Sequence, residues 1–298
     1  MSFEFENPGR PIEDSVRAAA KAEFDRAIGE VAETGFEIHE TVRTVRRRLK
    51  RIRAIVRLIR PAFAHYRAEN ELLRSIGADV SALRDAAALV DGVDRLLREA
   101  DGETAAVLHQ LRRRLVDAAA DEDAGLDRDA FLLELRGKLR EARVRAELWE
   151  LTADDAAAVV PGFVATYRKS RGGYRAARKH PTEERYLHEW RKAVKFHWAQ
   201  LSLLRGFAPA FAEKRRAAAK RLAESLGDHH NLCVLRDALT AQEADKVGPV
   251  LEAAIERLGK RALKLGRPLF AETPRQVRSR WTAVFADRAA VGRIAHGR

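Results

Sequence analysis

His39, Arg43, Arg46, Lys50, Arg53, Arg57 and Arg60 follow one another at alternating steps of four and three residues. At about 100° per residue, that rhythm gathers all of them within an arc of roughly 100° on one helix, in a file roughly 30 Å long. Arg47 and Arg51 flank the file, and Glu40 is the only acid between its ends. Like charges one turn apart disfavour a helix by a few tenths of a kcal/mol per pair. Water or an anion must therefore offset the file. Solvated faces usually interleave both signs, so a file of one sign points to binding of an extended anion, with a solvated face as the plainer alternative.

Further basic groups follow the same pattern. Arg168, Arg171, Arg175 and Arg178 are spaced three, four and three apart, flanked by Lys169 and Lys179, and no acid occurs between Ala156 and Thr182. The Gly172-Gly173 pair within this run weakens a helix and marks a kink or a close approach. His188, Arg191, Lys192 and Lys195 form a third stripe; Arg257, Lys260, Lys264 and Arg267 form a fourth, less specific one with acids nearby. His229 and His230 come just after Gly227-Asp228, read as a helix start, where free N–H groups and the helix dipole favour an anion. His65, His109, His180 and His197 stand alone, and a lone histidine in a bundle is as often a packed residue as a functional one.

No nucleophile elbow, P-loop, dinucleotide-binding glycine pattern or pair of catalytic carboxylates is present. The single Cys233 has no partner for a disulfide, and no Cys-x-x-Cys offers a zinc site. The expectation is a non-enzymatic protein with no catalytic residues, no metal and no cofactor.

The elements that must position these stripes are helices. Ala, Leu, Arg and Glu dominate, and the β-branched residues are scattered singly. Apolar residues recur at three and four, as in Val42, Val45, Leu49, Ile52, Val56, Ile59 and in Leu251, Ile255, Leu258, Ala262, Leu265, Leu269. Breakers divide the chain into about ten helices, with punctuation at Thr34-Gly35, Pro61, Asp91-Gly92, Gly125, Pro161-Gly162, His180-Pro181, Gly227-Asp228, Gly248-Pro249 and Pro274 among others. Short turns between helices imply antiparallel bundles.

An ordered repeat supports two related halves. The run from Arg43 to Lys50 matches His188 to Lys195, and Ser75-Ile-Gly77 through Leu83-Arg84-Asp85-Ala86 matches Ser225-Leu-Gly227 through Leu235-Arg236-Asp237-Ala238. The predicted fold is all-α: two pseudo-symmetric antiparallel bundles of about four or more long helices each, residues 11–158 and 159–290, with the boundary near Val159–Pro161 and a large insertion at Gly102–Leu151.

These motifs carry a family resemblance. His188-Glu-Trp-Arg191-Lys192-Ala-Val-Lys195, followed by Leu222 through Gly227-Asp228-His229-His230-Asn231 to Leu235, resembles the conserved histidine α-helical domain (CHAD) family. Val42-Arg43 through Arg53, Arg67 through Asn70, and Ser81 through Asp85 carry related signatures in the first half. The resemblance spans roughly Pro11 to Phe285. It implies two helical bundles whose basic faces line a central cavity or channel, and inorganic polyphosphate as ligand. It assigns motif positions to Arg46, Arg47, Lys50, Arg51 and Arg53, and to His188, Arg191, Lys192, Lys195 and His230. One departure is Arg43, which stands where a histidine is expected, with His39 one turn earlier; arginine still pairs with phosphate, in a bidentate manner.

The partner expected is thus inorganic polyphosphate, one charge per internal phosphate and no base to stack. Nucleic acid bound through its phosphates is the alternative, since a net charge of +12, from 56 Lys and Arg against 44 Asp and Glu, is equally the footprint of that class. A third reading is a helical accessory module of a phosphate-processing system. Aromatic platforms for bases are sparse: aromatics are 7% of the chain, and Tyr167, Trp190 and Trp198 are isolated. Neither a signal sequence at Met1–Glu6 nor a membrane span is expected. The anticipated location is the cytoplasm, in association with polyphosphate granules where these form.

Overall fold

The computed structural model describes residues 3–5, 10–33, 38–80, 85–124 and 127–296, with the backbone only for residues 85–88, 119–124, 209 and 288–296. Among them the chain forms eleven α-helices and two short 3-10 turns, without a strand. The helices are α1 (Ile12–Ala32), α2 (Ile38–Leu58), α3 (Tyr66–Asp79), α4 (Asp85–Leu97), α5 (Gly102–Ala124), α6 (Arg128–Glu147), α7 (Asp155–Lys179), α8 (Glu184–Leu203), α9 (Pro209–Asp237), α10 (Ala241–Leu269) and α11 (Pro274–His296).

The apolar periodicities become the core. Val42, Val45, Leu49, Ile52, Val56 and Ile59 are all buried along α2, and that edge fixes where the cations of the same helix must point. α2 lies among α1, α3, α7 and α8; α8 then packs on α9 and α9 on α10, while α1 carries α6 on its other side and α7 carries α11. The larger core runs through α1, α2, α3, α6, α7, α8, α11, the start of α9 and the end of α10, around Phe24, Leu49, Ile52, Phe163, Trp190 and Trp281. A smaller core joins the α4–α5 hairpin to the end of α9 and the start of α10, through Leu108, Leu111, Leu232, Leu235 and Leu251.

Several sequence breakers do not break helices. Pro161-Gly162 lies inside α7, which runs unbroken across the expected boundary near Val159–Pro161. Here glycine serves contact: a Cβ at Gly162 would stand 1.8 Å from the Leu58 carbonyl oxygen, so α2 and α7 touch backbone to backbone. Gly92 is internal to α4 and Gly248-Pro249 to α10. Gly173 admits Trp190, whose Cδ1 would lie 2.9 Å from an added Cβ, so close approach rather than a kink explains this glycine.

Caps come from far along the chain. Asp154 accepts from the first amide of α7, Asp155 N, and from Ile12 N at the start of α1, at 2.7 and 2.9 Å. Glu13 accepts from Leu151 N at 2.6 Å. One carboxylate thus satisfies free N–H groups of two helices and holds the starts of α1 and α7 side by side.

Candidate functional site

The cations of α2 divide into two groups, one met by acids of α1 and one not, a difference that spacing alone does not reveal. On one flank Arg48 and Arg51 turn toward α1. Glu23, 1% exposed, accepts from both at 3.3 Å and from Arg26 at 2.6 Å, and Glu30 accepts from Arg48 at 2.6 Å. Arg51, a motif position, is therefore already engaged by a buried carboxylate within the protein.

On the other flank Arg53 and Arg57 turn toward α8, where their guanidinium groups lie 5.7 and 4.4 Å from the centre of the Phe196 ring. Neither forms an ion pair among the described residues, and the Nε of each is buried without a hydrogen-bond partner. Burial, with the repulsion of Arg57 and Arg74 and against the weaker pull of Tyr66 and Glu71, pushes Arg53 down to about 10. Burial likewise lowers Arg57, with Arg60 and Arg74 adding repulsion against the opposing pull of Tyr66. Arg60 stacks over Tyr66 at 4.8 Å. The crossing of α2 and α8 is fixed one turn further on, where Gln200 Nε2 donates to the Ala54 carbonyl at 3.2 Å.

Along α8 the next basic groups are Lys195, Lys192, Arg191 and His188. Lys192 meets Glu189 at 2.7 Å, both well exposed. Arg191 is 9% exposed. His188 Nδ1 lies 3.1 Å from His230 Nδ1 on α9, so one ring donates and the other accepts. Burial, reinforced by Lys192 and Arg191, depresses His188 below the ordinary imidazole range. Arg43, Arg47 and Lys50 are exposed, and His39 and Arg46 half-buried, along the earlier turns of α2.

The remaining candidates lie elsewhere. α9 runs uninterrupted through Gly227-Asp228, so His229 and His230 sit in mid-helix and no free N–H groups surround them. His229 is buried, its Nδ1 3.5 Å from Cys233 Sγ, and burial lowers its pKa. Burial and Glu184 push the Cys233 thiol up to about 12, so it stays protonated. Arg171 donates to the Phe270 carbonyl at 3.1 Å, capping the end of α10, and Arg168 and Arg175 are exposed a turn to either side of it. Arg171 of the α7 stripe is thus taken up by the end of α10, whereas Arg53 and Arg57 of the α2 stripe reach Phe196, the residue that follows Lys195 on α8.

Sequence reading missed Phe196, Tyr66 and Arg74. Phe196 follows Lys195 directly, and its position one residue beyond a basic stripe was the available signal. Arg74 and Tyr66 come from α3, whose approach to α2 has no local signature.

These features define a class: an all-α domain in which a helix crossing brings arginines that form no ion pair among the described residues beside an aromatic ring. The CHAD domain profile matches residues 18–240, and the chain belongs to the CHAD domain family. A crystal structure of the CHAD domain from the plant Ricinus communis is similar in fold, with a TM-score of 0.50 and 19% identity, over 92% of this chain and 95% of that one. Comparison with curated proteins gives no match. Among the described residues no helix is long and apolar enough to cross a membrane, and no three His, Cys, Asp or Glu side chains gather to hold a metal.

Proposed function

We propose that this protein binds inorganic polyphosphate without turning it over, along the α2 file and across the α2–α8 crossing. The observation that carries the reading is the contrast between neighbouring arginines of α2. Arg48 and Arg51 pair with Glu23 and Glu30, while Arg53 and Arg57 lie against the Phe196 ring and form no ion pair among the described residues, with Arg74 repelling both and only the more distant Glu71 and Tyr66 pulling on Arg53. Half-buried guanidinium groups that repel one another are stabilised by an anion that reaches them. The exposed Arg43, Arg47 and Lys50 extend the surface along α2, and Lys195, Lys192 and His188 extend it along α8, giving a polymer two basic paths from one crossing. Arg46, Arg191 and His230 border these paths. Arg168 and Arg175 would serve an anion only on the separate α7 face.

Nucleic acid is the competing ligand. Phe196 is engaged by Arg57 and Arg53, so it offers little to a base, and the phosphates alone would make contact. Calorimetric titration with polyphosphate, duplex DNA and RNA at matched phosphate concentration separates the two. The proposal expects polyphosphate to bind tightest, with affinity falling as salt rises and no release of phosphate. Equal affinity for all three polymers overturns the specificity, and phosphate release overturns the non-enzymatic reading.

A further inference from the structure

The basic stripe of α10 changes character along its length. Arg257 and Lys260 are met by Glu99 and Glu256 at 2.5 and 2.6 Å. Lys264 and Arg267, near the end of the helix, are exposed and form no ion pair among the described residues. The change falls where α10 reaches α7. A Cβ added at Gly266 would stand 2.9 Å from the Tyr174 ring, and Phe270, just past the helix, meets the rings of Tyr174 and Tyr167 at 6.1 and 5.7 Å. Arg267 lies on the Phe270 side of α10, about 60° round from it. On α7, Arg168, Arg175, Arg178 and Lys179 are exposed within an arc of roughly 100° along about 16 Å of helix. They too form no ion pair among the described residues, and no acid occurs between Ala156 and Thr182. Glu272, just beyond α10, is taken by Arg215 and Arg280. Six exposed cations thus gather at one helix junction without a carboxylate, where solvated faces ordinarily carry both signs.

This junction and the basic stripe of α8 look away from each other. Trp190 of α8 points at α7 and α10, its Cδ1 2.9 Å from a Cβ added at Gly173 and its Cη2 2.7 Å from one added at Gly266. His188 and Lys192 lie about 160° round α8 from Trp190, and Lys195 about 140°. α8 and its aromatic packing therefore stand between the two sets of cations. We propose that the α7–α10 junction is a second surface for linear polyphosphate, so that one chain holds two polymer strands on opposite sides and cross-links them. The identity of the polymer rests on the function proposed above; the second surface rests on the junction itself. Tyr174 is buried beneath Arg178, whose guanidinium lies 6.0 Å from its ring, so the face offers charge and no platform for a base. Like charges at three-and-four spacing repel along each helix, and a polymer of regularly spaced anions relieves that repulsion on both helices at once. These cations are fully solvated, so this surface is the weaker of the two and the first to be lost as salt rises.

Calorimetric titration at low salt with a short linear polyphosphate, carrying about as many charges as one face has cations, counts the sites. The native chain is expected to bind two such polymers. The variant Arg168→Gln, Arg175→Gln, Arg267→Gln is expected to keep only the site at the α2–α8 crossing, and Arg53→Gln, Arg57→Gln only the site at the junction. A control with Lys220→Gln, Lys246→Gln and Arg257→Gln removes as much charge from cations that have carboxylates and is expected to keep both. With long polyphosphate, the native chain is expected to scatter light at least about fivefold more than the junction variant, because only a bivalent chain links strands. Circular dichroism verifies that each variant keeps its helices. One site in the native chain, lost in the crossing variant and kept in the junction variant, overturns the second surface and leaves the proposed function standing. One site with the reverse pattern overturns the crossing, and bridging with it. A control that loses a site as the junction variant does overturns the proposal, as does short duplex DNA that displaces the second polyphosphate at equal phosphate concentration.

Discussion

His197 makes the dependence of stability on pH a quantitative matter. It is fully buried on α8 between Phe163, Tyr167 and Phe270, with both ring nitrogens lacking a hydrogen-bond partner. Burial, with a contribution from Arg215, pushes its pKa down to about 3. An unfolded chain takes up this proton near pH 6.5. The folded-state value is the lower one, so the contribution to stability is complete above about 6.5 and is lost as the pH falls toward 3. Between pH 7.5 and 5.0 only the unfolded chain is protonated there, and the loss is about 2 kcal/mol for any folded value well below 5. His197→Leu removes the titration. At pH 7.5 the variant is expected to be at least as stable as the native chain, because two unsatisfied nitrogens leave the core. Urea unfolding followed by circular dichroism at the two pH values, at fixed ionic strength, reads the difference. His229 is common to both proteins and cancels. If the variant loses as much stability on acidification as the native chain, the burial argument for His197 is wrong.

Two further predictions concern the helix contacts that hold the site. Glu23→Gln leaves Arg48, Arg51 and Arg26 around a neutral amide and is expected to cost about 3 kcal/mol in chemical denaturation; a change below about 1 kcal/mol, the level of an exposed ion pair, would show that Glu23 does not anchor this flank of α2. Gly162→Ala forces apart the backbones of α2 and α7 and is expected to cost more than about 4 kcal/mol, whereas Gly172→Ala, with nothing within 4 Å, is expected to gain about 1 kcal/mol. Equal melting temperatures for the two variants would refute the close approach.

Much of the architecture follows from local pattern. The three-and-four rhythm of Val42 to Ile59 is buried as expected, and in Leu251 to Leu269 only Leu265 is left half-buried. Breakers were less reliable, because a glycine required by a neighbour looks the same in sequence as one required by a turn: Gly162 and Gly173 answer to Leu58 and Trp190, not to chain reversal. Placement of α4 and α5 against α9 and α10 rests on contacts between residues more than a hundred positions apart, with no local trace. The same limit applies to the site. The spacing of α2 shows that Arg48, Arg51, Arg53 and Arg57 occupy different sides of a helix, but which side receives acids depends on how α1 docks. Arg171 illustrates the point from α7: its stripe resembles that of α2, yet its guanidinium caps α10 because the end of that helix lies beside it.

The proposed binding of polyphosphate rests on Arg53 and Arg57 at the α2–α8 crossing. The most direct test is polyphosphate binding by the Arg53→Gln, Arg57→Gln double variant over a salt series, beside a control carrying Arg112→Gln and Arg113→Gln on α5, where Arg112 pairs with Asp94 of α4 and Arg113 is exposed. The crossing variant is expected to bind about tenfold or more weakly, with a salt slope shallower by about one to two contacts, while the control stays within about threefold of native. Equal losses in the two variants, or no binding by the native chain, would contradict it.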